Sequence, residues 1–200
     1  MSTSRYLLFL TELNRAKDLV GLGQSLGAMT HGRVDSSDLF RAALVQAVSA
    51  LDSYVHGVVL DKAVDIMLGR APHSAGNVKI GLPFGAVRDV LTASNIVDRE
   101  LAARTHIAQR LSLETFQRPD DIARAFSMVG LPKLWSTVWQ SSSAVVQKSI
   151  SLVIQRRNRI VHQCDSDPLN PGSVTPLTDA DTLTGLSTIR DAVTAIDQFC

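Results

Sequence analysis

The chain has 200 residues, 45% hydrophobic and 20% charged, with 20 Lys and Arg set against 19 Asp and Glu. That length suffices for one domain with its own core, or two very small ones, and a composition so near the globular average excludes general disorder and low-complexity architecture. The balanced charge carries no information about partners, and the two cysteines, Cys164 and Cys200, form no CxxC pair, which excludes a disulfide scaffold and a thiolate zinc centre and suits a reducing cytoplasm.

Taken in chain order, the elements read as helices almost throughout. The apolar run Tyr6–Leu10 is followed at once by Glu12, Arg15, Lys17 and Asp18, so it does not read as a signal peptide. No window is expected to supply the roughly 20 apolar residues of a membrane span, and no membrane partner is expected. Residues 7–20 read as a first helix, which Gly21, Gly23 and Gly27 are expected to break, leaving 1–34 as an N-terminal helix with a Gly-rich break. Gly23-Gln-Ser-Leu-Gly27 matches G-x-S-x-G, but a nucleophile elbow needs a strand before its serine, and the segment here is charged and helical. The same glycines fail as a dinucleotide fingerprint for that reason.

From Leu39 to Val59 apolar residues fall at 40, 44, 47, 48, 51, 55, 58 and 59, the spacing of a half-buried helix, with Asp35-Ser36-Ser37 offering acceptors to its first turn. Residues 84–94 and 97–112 also read as helices. Pro119-Asp-Asp starts another that Gly130 and Pro132 stop, since proline loses no bond in a first turn and acids suit the N-terminal dipole. Residues 144–162 form the next. The last is capped by Thr178 or Asp179 and carries the stripe Leu183, Leu186, Ile189, Val193, Ile196. Extended chain is suggested only at Asn77–Ile80 and Gly172–Thr175, and no internal repeat is evident. The fold class is therefore all-α, a helical bundle with a helical elaboration at 84–130.

Charge is unevenly placed. No acid lies between Asp121 and Asp165, where Arg124, Lys133, Lys148, Arg156, Arg157 and Arg159 are basic, while Arg190 is the only cation after Asp165. Such a segment can attract a polyanion locally although the whole chain is neutral, and a solvated helix face followed by an acidic tail is the plainer reading. His31, His73 and His106 stand alone without ligand spacing, and Asp52 with His56, an i, i+4 pair, makes a poor metal site and reads as a polar pair beside an apolar stripe. No metal or other cofactor is expected.

The segment that carries chemistry is Ile154–Pro168. On a helical projection Val146, Ile150, Val153, Ile154, Ile160 and Val161 form one stripe with Arg157 at its centre, whereas Arg156 and Arg159 point elsewhere. An arginine on such a stripe must meet a carboxylate, carbonyls, a bound anion or a second subunit, with Asp52 the best internal candidate. Asn158 and His162 share the helix flank just before the Asp165-Ser-Asp-Pro168 loop, where an imidazole is reachable and protonatable.

Arg157-Asn158-Arg-Ile-Val-His162 resembles the R-x4-6-H motif of the HEPN superfamily. The long helix Phe40–His56 before it, and the D-x-D-P loop and closing helix after it, fit that resemblance, which covers most of 36–200 and is nearest the bacterial RiboL-PSP-type branch. The resemblance implies a single HEPN-like domain over 1–200 that forms a homodimer with two motifs in one cleft. It further implies a metal-independent endoribonuclease of toxin–antitoxin or anti-phage systems, with RNA as substrate and an antitoxin or neighbouring defence protein as partner. Arg157, His162 and Asn158 would be catalytic, Arg156, Arg159 and Lys148 would bind RNA, and Asp52 and His56 would support them. Some relatives carry a tyrosine two residues after the motif histidine where Cys164 stands here, so tyrosine modification does not carry over. Two other classes stand beside this reading. One is a non-catalytic HEPN module that binds a nucleotide or RNA and regulates a neighbour; the other is a helical scaffold anchored through Arg157.

Overall fold

A computed structural model of the chain describes residues 3–72, 79–170 and 172–200. It is all-α. In chain order the helices are α1 (Ser4–Met29), α2 (Ser37–Met67), α3 (Phe84–Thr92), α4 (Ile96–Leu111), α5 (Pro119–Met128), α6 (Leu134–Trp139), α7 (Ser143–Gln163) and α8 (Asp179–Phe199), with a 3-10 turn at Gln140–Ser142. Among the described residues the sole β feature is an isolated antiparallel bridge, Ser166 to Val174, inside the segment read as extended at Gly172–Thr175. The other such segment lies partly outside the described residues, as does His73 entirely.

The chain divides into two compact units. One comprises 1–54 and 138–200, the other 55–137, so the helices expected as an elaboration at 84–130 lie inside a unit whose sequence begins within α2.

In the first unit α1 buries Phe9, Leu13, Ala16, Val20 and Gly23, one face at alternating spacings of three and four, and packs against α8. The expected break in α1 does not occur: the helix runs on through Gly21, Gly23 and Gly27 to Met29. Gly23 serves close approach instead, since a Cβ there would lie 2.7 Å from Phe40 Cε1. The helix stops only at His31 and Gly32, whose φ values are 53° and 74°. At its other end Thr3 caps α1 by accepting from the Tyr6 N–H. Thr3 also donates to the buried Asp197 from its backbone N–H at 3.2 Å and from its hydroxyl, and Tyr54 OH donates to the same carboxylate at 3.2 Å. Burial, with Asp197 close by, pushes the Tyr54 phenol far above its ordinary value.

Helix α2 starts where Asp35 Oδ1 accepts from the Ser37 N–H at 2.8 Å. By length and composition α2 could cross a membrane, contrary to the expectation that no window would, because Asp52 is its only Asp, Glu, Lys or Arg between Arg41 and Asp61. Yet 61% of that apolar window is buried inside the protein. Of the two caps open for α8, the structure selects Thr178, whose hydroxyl accepts from the Asp181 N–H while the Asp181 carboxylate accepts from the Thr178 N–H.

The second unit has its own core, including Ile107, Phe116, Ile122, Phe126 and Leu134, all 2% exposed or less. Its α6 has no counterpart in the sequence reading, because six residues are too few to show a period. Trp135 anchors it by donating from Nε1 to the Pro119 carbonyl at 2.9 Å. His56 lies here: its Nε2 is 3.2 Å from the Leu111 carbonyl and its ring centroid 4.4 Å from that of Phe116. His106 meets Asp89, Nε2 to Oδ2 at 3.2 Å, so it does find a carboxylate, one the linear spacing did not reveal.

Candidate functional site

The site is built on α7 and the loop that follows it. Ile150 and Ile154 are buried in α7, and Val153 lies beside Gly185 of α8, where an added Cβ would come within 2.8 Å of Leu44. A glycine there lets α8 approach α7 and α2 closely. The helix stays regular through Gln163, and Cys164 and Asp165 then both take left-handed backbone, at φ 50° and 51°. Their N–H groups both donate to the Arg159 carbonyl, the Asp165 bond being 3.0 Å, which closes the helix end.

This turn delivers Asp165 into the interior, where its side chain is fully buried. Its Oδ2 accepts from Arg41 Nε at 2.9 Å and from Arg156 Nη2 at 2.7 Å. The Thr175 carbonyl accepts from the same two arginines, from Nη2 of each at 2.8 Å, and Arg156 also donates to the Pro176 carbonyl at 3.1 Å. The Thr175 N–H in turn donates to the Asp165 carbonyl at 2.8 Å. One carboxylate thus ties α2, α7 and the returning limb of the loop. Burial, with Arg159 and Arg41 nearby, holds the Arg156 guanidinium below its ordinary value against the pull of Asp165.

The neighbouring arginine is placed differently. Arg157 is half-buried and donates from Nη1 to Asn158 Oδ1 at 3.1 Å; its Nε is buried without a hydrogen-bond partner, as are Arg156 Nε and Asp165 Oδ1. It takes part in none of the ion pairs found among the described residues, so the expected tie to Asp52 is not formed, and the internal carboxylate beside α7 is Asp165, which Arg156 and Arg41 hold. His162 is exposed in the last turn of α7, Arg159 is half-exposed and Lys148 is exposed. Asp52 is half-buried on α2. Because α7 does not fray before His162, Arg157 and His162 point about 140° apart around one helix, as ideal geometry requires.

The structure therefore brings Arg157 and Asn158 together, leaves His162 open to solvent, and turns Arg156 inward. Missed in the sequence were Asp165, Arg41 and Thr175. A signal for Arg41 was present, because it shares the apolar face of α2 with Leu44 and Val48 and is only 6% exposed. Among the described residues no group of three or more His, Cys, Asp and Glu side chains is placed to hold a metal ion.

No family model, curated protein or solved structure matches the chain.

Proposed function

We propose that the chain is a HEPN-type endoribonuclease, acting on RNA as a dimer in a toxin–antitoxin or anti-phage setting. One observation carries the proposal: on the last turns of α7 the R-N-x-x-x-H side chains, Arg157 and Asn158 half-buried and His162 exposed, are paired with no carboxylate among the described residues. Arg157 is steadied by Asn158 but, among the described residues, meets no carboxylate that would cancel its charge. That is the condition a phosphate-binding arginine needs, since a guanidinium already paired with a carboxylate has little left to offer an anion.

The chemistry follows from the residue types. RNA supplies its own nucleophile, the 2′-hydroxyl, which attacks the adjacent phosphorus while the bond to the 5′-oxygen breaks. His162 moves a proton on or off these oxygens, as general base or general acid. Arg157 holds the phosphate and offsets the charge that builds on it in the transition state. Asn158, already bonded to Arg157, keeps the fork aimed. The products are a 2′,3′-cyclic phosphate and a 5′-hydroxyl, and this chemistry asks nothing of a metal ion.

Two copies suit the geometry better than one. With the two side chains about 140° apart on a regular helix, one α7 does not present Arg157 and His162 to a single phosphate directly, whereas two copies of α7 facing each other can pair the arginine of one with the histidine of the other. Light scattering at micromolar concentration should give a dimer, and a mixture of His162→Ala and Arg157→Ala chains should regain activity through mixed dimers. A monomer that cleaves RNA would remove the shared site, and a dimer that leaves RNA intact would favour the regulatory or scaffold readings.

A further inference from the structure

We propose that Asp165 withholds Arg156 from nucleic acid, so that the basic run at the end of α7 offers RNA one phosphate-binding arginine fewer than its sequence contains. This rests on the ribonuclease reading only for the identity of the polyanion. Arg156, Arg157 and Arg159 are consecutive cations on one helix, and a sequence count assigns all of them to RNA. The side chain of Arg156 is only 15% exposed, and its Nη2 is shared among Asp165 Oδ2, the Thr175 carbonyl and the Pro176 carbonyl. Asp165 is unexposed, and it also holds Arg41, whose side chain is 8% exposed. One negative charge therefore neutralises part of two positive ones, and Arg156 cannot turn outward without leaving Asp165 with a single partner in the interior.

The space for the alternative exists. Arg156 forms part of the wall of a cleft between α7 and α8, about 480 Å³ in volume, which Ser149, Leu152 and Thr188 line together with one carboxylate, Asp181 of α8. A guanidinium released from Asp165 has open solvent beside it and a long stem with which to reach it. Asp165 thus sets how many phosphates the site can grip. It keeps the contacts to Arg157, Arg159 and the more distant Lys148, so that a phosphate settles at the arginine that Asn158 steadies rather than at its neighbour.

The probe is a short single-stranded 2′-O-methyl RNA, which cannot be cleaved, and the readout is the slope of log affinity against log salt. Each phosphate contact to a single strand contributes about 0.7 to that slope. Arg156→Gln, which leaves the Arg41–Asp165 pair in place, should not change the slope, whereas Arg159→Gln should make it shallower by about 0.7. Asp165→Asn preserves a residue that tolerates left-handed backbone and removes only the charge. It should steepen the slope by about 0.7 or more and bind RNA more tightly, an effect that simple loss of folded protein cannot produce. A shallower slope for Arg156→Gln overturns the proposal, and so does a folded Asp165→Asn protein with an unchanged slope. Should Asp165→Asn fail to fold, Arg156→Gln decides alone. Cleavage of unmodified RNA by the wild type is scored separately: binding without cleavage removes the ribonuclease reading and leaves this one standing, and an absence of RNA binding overturns both.

Discussion

Arg156 and Arg157 are adjacent in the chain, yet they belong to two differently organised regions. Arg156 joins a buried clamp with Arg41, Asp165 and the Thr175 carbonyl, in which its Nη2 and Asp165 Oδ2 are spent on other parts of the protein. Arg157 sits about 100° further round α7, in a region where, among the described residues, it bonds to its neighbour Asn158 alone and where His162 is left in solvent. The clamp is organised to hold the end of α7 and the loop after it. The motif region is organised to leave charge unspent. The comparison shows that a run of arginines is not one functional unit: rotation around the helix decides which cation meets the internal carboxylate and which remains for an external anion.

Substitutions should separate the two regions sharply. His162→Ala should lower RNA cleavage by roughly 10²–10⁴ while leaving the thermal midpoint nearly unchanged, because an exposed histidine contributes little packing and a general acid or base contributes about that factor. Arg157→Ala should lose cleavage to a similar extent. Undiminished cleavage by folded His162→Ala protein would move catalysis away from the motif. In the clamp the balance reverses. Asp165→Ala leaves two inward-facing arginines without their carboxylate and should destabilise the fold by about 3–5 kcal/mol, read as a lower denaturant midpoint. A midpoint equal to wild type would mean that the clamp holds nothing.

Two glycines in α1 give a smaller and more controlled version of the same contrast between spent and open positions. Gly21 has nothing within 4 Å of where a Cβ would stand, whereas a Cβ at Gly23 would meet three atoms of the Phe40 ring. Gly21→Ala should therefore stabilise by about 0.5–1 kcal/mol through helix propensity. Gly23→Ala should destabilise by about 1 kcal/mol, because the overpacking of about 1–3 kcal/mol outweighs the same gain. Equal signs for the two in chemical denaturation would contradict the Phe40 contact.

An effect of similar size belongs to the start of α8. Thr178→Ala should cost about 1 kcal/mol by removing the cap. Hydrogen bonds from Thr178 hold the Asp181 carboxyl below its ordinary value, so its contribution is present above the usual carboxylate range and is lost as pH falls through the lowered folded-state value. Thermal midpoints of wild type and Thr178→Ala should accordingly converge on acidification, and a gap that is constant with pH would dissociate Asp181 from the cap.

The helices were legible in the sequence because most have a long apolar period: α2, α4, α7 and α8 were placed within a few residues of where they lie, apart from the C-terminal end of α2. The glycines of α1 were misread because propensity describes a residue alone, and Gly23 is defined by Phe40, which approaches from another helix. The motif residues could be singled out because they are local. The clamp could not, since Arg41 and Asp165 are separated by 124 positions and the left-handed turn that aims Asp165 inward leaves no trace in periodicity. The apolar stripe pointed to Arg157 as the arginine needing a carboxylate; a side chain with a long stem is governed by where its tip can reach, and the tip that reaches Asp165 belongs to Arg156.

The most direct measurement is end-group analysis of RNA incubated with the purified protein in EDTA, beside DNA of the same sequence. Cleavage of RNA alone, undiminished by the chelator and leaving 2′,3′-cyclic phosphate and 5′-hydroxyl ends, is the expected result. Intact RNA, equal cleavage of DNA, or activity that disappears with EDTA and returns with a divalent ion would contradict the assignment of Arg157 and His162 to RNA transesterification.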